Sequence, residues 1–317
     1  MKLLKLIPDE TDIPFTKWRI PAFAANAIAF VAAAFAIFVY PGVNFGVDFR
    51  GGVTIEVSDA EPIDVGAVRA TVGALGFGES KVQEFGTPND IIVVLEQAEA
   101  EGTQSADVTQ QAVAARVQEA LRQALGADLV FRRVDIVGPT VSGELVRKGF
   151  IAVALAWAMI LSYIWFRFQW QWGLGAVVGA LFDTVVSVGV FVFFGFEFNL
   201  TIIAAILTII GYSVNDKIVV YDRIRESLRK YKQMPLAELI DLSLNETLTR
   251  TVVTGGTAIL ALIALIIFGG EVLRGFSVLI TLGIIIGTYS TLLLAAPFLL
   301  LTGVKRDWSK VKATATP

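Results

Sequence analysis

The sequence of 317 residues contains no cysteine and no histidine. Without cysteine, the chain forms no disulfide bond and offers no thiolate as a nucleophile or metal ligand. Without histidine, it lacks the commonest metal ligand and the usual proton shuttle of proteins. Any proton transfer must therefore use Asp, Glu, Lys or Tyr, and we expect neither a metal site, nor a cofactor, nor catalytic residues.

Charged residues are also scarce, at 17% of the chain, whereas hydrophobic residues make up 55% and the mean hydropathy is +0.67. A soluble domain is about 45–50% apolar, so the composition indicates an integral membrane protein. Residues 41–147 contain 16 Asp and Glu but only 8 Lys and Arg, whereas the remainder contains 13 acidic and 18 basic residues. One acidic domain is thus combined with a basic membrane frame, and an acidic domain is a poor candidate for binding nucleic acid.

Six stretches are apolar enough and long enough to span a bilayer, which takes about 20 helical residues. They are 20–40, 150–166, 173–196, 200–221, 252–268 and 276–301. Basic residues cluster at alternate ends of these stretches: Lys2, Lys5, Lys17, Arg19, Arg167, Arg223, Arg225, Arg229, Lys230, Lys232, Lys305, Arg306, Lys310 and Lys312. Because Lys and Arg are enriched in cytoplasmic loops, we expect a multi-pass plasma-membrane protein with both termini in the cytoplasm.

The acidic segment between the first two spans has the pattern of a folded domain. Its apolar periodicity predicts the element order β-α-β-β-α-β, which is that of the ferredoxin-like fold. The predicted strands are 52–57, 81–85, 91–96 and 129–137, the helices 63–75 and 108–125, and the polar linker 99–107. We therefore predict a membrane all-α protein of six transmembrane helices, with one extracytoplasmic ferredoxin-like α+β domain inserted between the first and second helices.

These patterns also give the expected domain boundaries. They are a cytoplasmic N-terminus at 1–19, transmembrane helix 1 at 20–40, the extracytoplasmic domain at 41–147, transmembrane helices 2–6 at 148–303 and a cytoplasmic tail at 304–317.

The fourth apolar stretch contains an acid, Asp216, on a long helix predicted for residues 199–226. A carboxylate at the centre of a membrane helix costs about 2.5–3.5 kcal/mol on insertion scales, so it marks a functional site by default. Ser213 and Asn215 supply further polar groups beside it. The alternative is a helix that leaves the bilayer early, so that Asp216 is solvated.

Two more ionisable residues lie in or beside apolar stretches. Asp183 is close to the middle of the third stretch, where it either takes part in proton transfer or only bonds a hydroxyl group of a neighbouring helix. Arg250 precedes the fifth stretch, as either a cytoplasmic flank or the counter-ion of Asp216, and Thr254 belongs to a polar face that follows it. An acid that alternately meets and leaves a counter-ion releases and captures a proton. Asp216, Arg250 and Asp183 therefore form a candidate proton relay.

Two glycine-containing segments border the acidic domain. Residues 46–52 include Gly46, Asp48, Arg50, Gly51 and Gly52, and residues 137–139 include Gly138 and Pro139. Each segment is either a simple turn or linker between elements or a hinge, since glycine permits backbone conformations that other residues avoid. A pair of hinges would let the outer domain swing.

Four segments together resemble the SecF family of protein-export membrane subunits. They are Gly-Val-Asp-Phe-Arg-Gly-Gly at 46–52, Val-Gly-Pro at 137–139, Gly-Tyr-Ser-Val-Asn-Asp-Lys at 211–217 with its continuation to 226, and Arg-Thr-Val-Val-Thr-Gly at 250–255. The resemblance extends over about residues 15–303, and the segment 211–226 is its most specific part. Lys217 departs from the pattern, because the family is expected to have a small polar residue there.

The resemblance implies a partner and a mechanism. A SecF-like chain pairs with SecD, here expected as a separate chain, and associates with the SecYEG channel and often with YajC, in contact with membrane lipid. The pair uses the proton-motive force to promote the translocation of pre-proteins, so it is not an enzyme. The resemblance places the family's membrane acid and arginine at Asp216 and Arg250, and the acid of its third helix at Asp183.

Two other functions stay open on the sequence. One is half of a proton-coupled small-molecule exporter of the resistance-nodulation-division superfamily, although this chain has half the length that such an exporter needs. The other is a structural clamp for SecYEG without ion coupling. The sequence also leaves open whether H⁺ or Na⁺ is the coupling ion.

Overall fold

The computed structural model describes residues 11–77, 80–85, 87–96, 106–126, 129–168 and 170–304. It divides into two compact units. The helical unit contains the described residues of 1–43, 153–196 and 204–317, and the α+β unit contains those of 44–152 and 197–203. The predicted tail from residue 305 onward, the first ten residues of the N-terminus and most of the linker 99–107 lie outside the described residues.

The α+β unit contains one four-stranded antiparallel sheet with the strand order β2-β3-β1-β4. Its elements are α2 (Val47–Arg50), β1 (Gly52–Ser58), α3 (Val65–Ala74), β2 (Ser80–Phe85), β3 (Thr87–Glu96), α4 (Ala106–Leu125) and β4 (Val130–Val137). Alternate residues of β1, Val53, Ile55 and Val57, are buried against α3 and α4. This period-2 burial is why β1 could be predicted from the sequence.

Within the described residues, six helices are long and apolar enough to cross a membrane. They are α1 (Arg19–Phe38), α5 (Pro139–Arg167), α6 (Trp170–Phe193), α7 (Leu200–Lys230), α8 (Leu236–Phe268) and the last helical run, α9 (Gly270–Ser290) with α10 (Ala296–Thr302). Helices α5 and α8 are 29 and 33 residues long, although their predicted spans are the shortest. Each helix is longer than its apolar stretch because the more polar residues that flank the stretch also form the backbone hydrogen bonds of the helix.

A π turn at Thr291–Ala295 separates α9 from α10. Pro297 is the second residue after this turn. Proline cannot donate the backbone hydrogen bond that an α-helix requires of it, which is a common cause of such irregularity. The hydroxyl group of the buried Tyr221 donates to the Ala295 carbonyl oxygen at 3.0 Å. The irregular turn is therefore held against α7.

Helices α1 and α6 approach closely where Gly189 of α6 meets Ala33 of α1. A β-carbon at position 189 would lie 2.6 Å from Ala33 Cα and 2.9 Å from its carbonyl oxygen, so the α1 backbone would have to move. We expect Gly189→Ala to destabilise the protein by roughly 1–3 kcal/mol through overpacking. The measurement is thermal unfolding of the purified protein in detergent.

The matched control is Gly256→Ala in α8, where a β-carbon meets nothing within 4 Å. Alanine favours a helix over glycine by about 1 kcal/mol, so this variant should unfold at the wild-type temperature or above it. Equal unfolding temperatures for Gly189→Ala and the wild type would show that the α1–α6 contact is not tight.

Candidate functional site

A buried polar cluster joins α6 to α7 inside the helical unit. Lys217 Nζ lies 2.6 Å from Asp183 Oδ2, and both side chains have zero exposure. Ser213 Oγ donates to the same carboxylate oxygen at 2.6 Å and accepts from Lys217 Nζ at 2.9 Å. The three side chains form a closed triad in which the charge of Asp183 is matched by that of Lys217.

The sequence folds into this triad through helix periodicity and small neighbours. Ser213 and Lys217 are four residues apart on α7, so both face α6. Gly179, one turn before Asp183, leaves the space that the Lys217 side chain fills, since a β-carbon there would overlap Lys217 Cε. A β-carbon at Gly287 of α9 would lie 3.4 Å from Asp183 Oδ2. Glycines on two helices thus admit the buried charges.

Asp216 lies on a different face of α7 and contacts α8. Thr251 Oγ1 donates to Asp216 Oδ1 at 3.1 Å. Among the described residues, Asp216 Oδ2 and Asp183 Oδ1 are buried without a hydrogen-bond partner. Successive residues of an α-helix point about 100° apart, which explains why Asp216 faces α8 while Lys217 faces α6.

The predicted ion pair between Asp216 and Arg250 stays a prediction. Among the ion pairs of the described residues, the two do not meet, and Arg250 is exposed. The next residue along α8, Thr251, takes the position that faces Asp216. Of the predicted supporting residues, Ser213 belongs to the triad, whereas Asn215 and Thr254 are exposed.

Lys217 is the residue of the site whose effect the sequence prediction left open. Its signal is the one that identified Asp216, because a lysine inside a membrane helix is as costly as an aspartate. In the described ranges, no three acidic side chains lie close enough together to hold a metal ion.

The first glycine segment contacts the turn before α7, all within the α+β unit. Gly46 N donates to the Phe198 carbonyl oxygen at 2.9 Å, and Phe198 N donates to the Asn44 carbonyl oxygen at 2.8 Å. The backbone N–H of Leu200, the first residue of α7, donates to Asp48 Oδ2 at 2.9 Å. Gly51 and Gly52 have φ values of 76° and 132°, a conformation that favours glycine.

Glu197 lies half-buried beside this segment, with its carboxylate against Gly46. Burial raises the pKa of Glu197 above its ordinary value of 4.5, and the negative charge of Asp48 adds to the effect. The positive charges of Lys81 and Arg50 partly oppose it by lowering the same pKa. The carboxyl of Glu197 is therefore held in surroundings that disfavour its ionised form.

The second glycine segment offers little length for a flexible linker. Strand β4 ends at Val137 and helix α5 begins at Pro139, so only Gly138 lies between them. The Ser142 N–H donates to the Gly138 carbonyl oxygen at 2.9 Å, as in the first turn of a helix. Proline is favoured at the first helical position because its missing N–H has no partner there, and this is why the helix starts at once.

Comparison with known proteins agrees with these motifs. Residues 116–305 match the family described as protein export membrane protein SecD/SecF, C-terminal, and residues 35–58 match the SecD/SecF GG motif. The chain is 42% identical over 316 residues to protein translocase subunit SecF of Cereibacter sphaeroides, covering 98% of this chain and 96% of the relative. The chain belongs to the SecF family. The names of its relatives favour protein export over export of small molecules.

Longer members of the family carry the SecF-like part within a larger chain. Protein translocase subunit SecDF of Brucella abortus is 41% identical over 306 residues, which cover 95% of this chain but 39% of the relative. The crystal structure of SecDF from Thermus thermophilus, a translocon-associated membrane protein, superposes with a TM-score of 0.80 at 30% identity and covers 93% of this chain and 39% of that one. This SecF-family chain thus spans about two-fifths of the SecDF proteins that it matches.

Proposed function

We propose that this SecF-family chain is a subunit of the Sec protein-export machinery that uses the proton-motive force to promote translocation of pre-proteins. The observation that carries the proposal is the distribution of charge in the membrane-spanning helices. Asp183 has Lys217 as its counter-ion, whereas Asp216 accepts a hydrogen bond from the Thr251 hydroxyl group and forms none of the ion pairs found in the described part of the chain. An ionised Asp216 leaves an unmatched negative charge within the apolar helices, and protonation removes that charge.

Asp216 is the proposed proton carrier. Moving one charge through 100 mV supplies about 2.3 kcal/mol, which changes a conformational equilibrium by roughly 50-fold. Asp183 is the proposed fixed partner that keeps Lys217 in place. Arg250 is the proposed modulator: it follows Thr249 and precedes Thr251, so a rotation of α8 by about 100° would bring it towards Asp216 in place of Thr251.

The proposed architecture is a ferredoxin-like extracytoplasmic domain at 41–147 between the first and second of six transmembrane helices. The strand order β2-β3-β1-β4 with two helices on one face supports the first part. The basic residues at the end of α5 and the end of α7, such as Arg167 and Arg229, support a cytoplasmic location for those ends and for both termini. The proposed location is the plasma membrane.

The proposed partners are SecD, the SecYEG channel, YajC and the pre-protein. Exposed polar residues on the spanning helices support a membrane partner. Asn215, Arg250 and Thr254 are exposed on α7 and α8, and such groups in a membrane normally face other protein or a water-filled path rather than lipid. SecDF relatives that carry more than this chain's length in one polypeptide support SecD as that partner.

The test compares export into membrane vesicles that contain or lack this chain, with SecD present in both. We expect the chain-dependent part of pre-protein translocation to disappear when a proton ionophore collapses the proton gradient. A sodium ionophore should leave it unchanged, and the reverse pattern would identify Na⁺ as the coupling ion. If the chain-dependent part survives the loss of both gradients, the chain is a structural clamp and the proposal fails.

A further inference from the structure

Residues 44–50 and 197–200 form a clasp, and we use this name for the two segments together. Three kinds of contact hold it. Two backbone hydrogen bonds of 2.9 and 2.8 Å connect Gly46 and Asn44 to Phe198, in an isolated parallel bridge between positions 45 and 198. The rings of Phe45, Phe49 and Phe198 pack with centroids 5.8–5.9 Å apart. Asp48 caps the first turn of α7 through the Leu200 N–H.

These contacts differ from those of a hinge. Segments that open at low cost have few apolar contacts and solvent-exposed backbone hydrogen bonds. Here, by contrast, Gly46 is buried, and the movable Glu197 carboxylate occupies the place that a β-carbon would take. The flanking Gly51 and Gly52 are buried as well. The segment predicted as a hinge therefore has the contacts of a fixed joint.

The clasp holds the beginning of the helix that carries the candidate proton site. Helix α7 is continuous from Leu200 to Lys230 and includes Ser213, Asp216 and Lys217.

We propose that the clasp fixes the first turn of α7 to the start of β1 as one rigid body, and that Asp48 is the residue that positions α7. The clasp then acts as a fixed joint within the α+β unit rather than as a hinge. The rigidity of this joint does not rest on the proposed function.

The first experiment measures amide hydrogen exchange of the peptide containing residues 197–203 in the full-length protein. Asp48→Ala removes the acceptor for the Leu200 N–H, and loss of a helix cap corresponds to about five-fold more frequent opening. Asp48→Asn keeps an acceptor oxygen of equal capping strength, so it should exchange at the wild-type rate. Equal exchange in all three proteins would overturn the positioning role of Asp48.

The second experiment uses the absence of cysteine from the chain to lock the clasp. Phe45→Cys with Phe198→Cys places two thiols at bridge partners, whose spacing of about 4.8 Å suits a disulfide bond. We expect the oxidised and the reduced form of this variant to export pre-protein equally, because a joint that stays closed loses nothing when it is locked. Export that stops on oxidation and returns on reduction would show that the clasp opens in the cycle and would overturn the proposal.

The two experiments also separate this inference from the proposed function. The exchange rates involve no export, so they test the clasp even if Asp216 carries no proton. Conversely, export can depend on Asp216 and yet stop when the clasp is locked by the disulfide bond. That result would support the proposed function and contradict only the rigid clasp.

Discussion

Lys217→Met is expected to destabilise the protein by roughly 3–5 kcal/mol, because it leaves the buried charge of Asp183 without its counter-ion. Methionine is close to lysine in length, so the effect is that of the charge rather than of a cavity. Ser213 alone would remain as a donor to the carboxylate. The measurement is the free energy of unfolding of the purified protein in mixed micelles, titrated with a denaturing detergent.

Two variants serve as controls for this prediction. Lys148→Met removes the same side chain from an ion pair of similar length, 2.8 Å to Glu144, in which the side chains are 70% and 61% exposed. Exposed pairs of this kind contribute only about 0.3–0.5 kcal/mol, so stability should hardly change. The double variant Asp183→Asn with Lys217→Met removes both buried charges and should recover most of the lost stability.

Together, the stabilities of the three variants show whether the contact between Asp183 and Lys217 matters through charge or through packing. A loss in Lys217→Met that the double variant reverses identifies an uncompensated charge as the cause. If the double variant is as unstable as the single one, the Lys217 side chain matters for packing against Gly179 and not for charge. A stable Lys217→Met protein would contradict the buried ion pair altogether.

The sequence predicts which polar residues lie within the apolar helices, but it does not predict which of their side chains contact each other. Asp183 is buried and Asp216 is half-buried in the structure, and the apolar surroundings of both are visible in the sequence. Their partners depend on how α6, α7 and α8 are rotated about their axes, and no single-helix pattern contains that rotation. A shift of one residue, about 100° on a helix, is the difference between Arg250 and Thr251 as the neighbour of Asp216.

The contacts of the clasp could not be predicted from the sequence either, because its two segments lie far apart along the chain. The glycines at 46, 51 and 52 predict an irregular backbone, and the structure has one there. The contacts of Gly46 and Asp48 with residues 197–200 join segments about 150 residues apart, so no local sequence pattern predicts them. The positions of strands and membrane spans are easier to predict from the sequence, because the alternation within β1 and the apolar runs within the helices are local properties.

Asp216→Asn is the second variant with a large expected effect, and it should reduce export to the level of cells that lack the subunit. Asparagine has nearly the same shape as aspartate and can still accept the hydrogen bond from Thr251, so the folded structure should persist. It cannot bind and release a proton. The measurement is pre-protein secretion in cells lacking the subunit, complemented with wild type or variant at equal abundance.

Asp222→Asn is the matched control, since it makes the same substitution six residues further along α7. Asp222 is half-exposed and pairs with Arg167 at 2.9 Å, a surface interaction that contributes about 0–1 kcal/mol. Secretion with this variant should stay near the wild-type level. Full secretion with Asp216→Asn would make Asp216 a structural residue and favour the clamp function.

The double variant Asp183→Asn with Lys217→Met completes the assignment of the proton carrier. It leaves Asp216 as the remaining acid of the cluster and removes the fixed ion pair beside it. If Asp216 alone carries the proton, this variant should retain part of its secretion wherever it is stably folded, whereas Asp216→Asn retains none. If both variants lose secretion although both are folded, the carboxylates and Lys217 act as one unit, and the proton is shared between the two faces of α7.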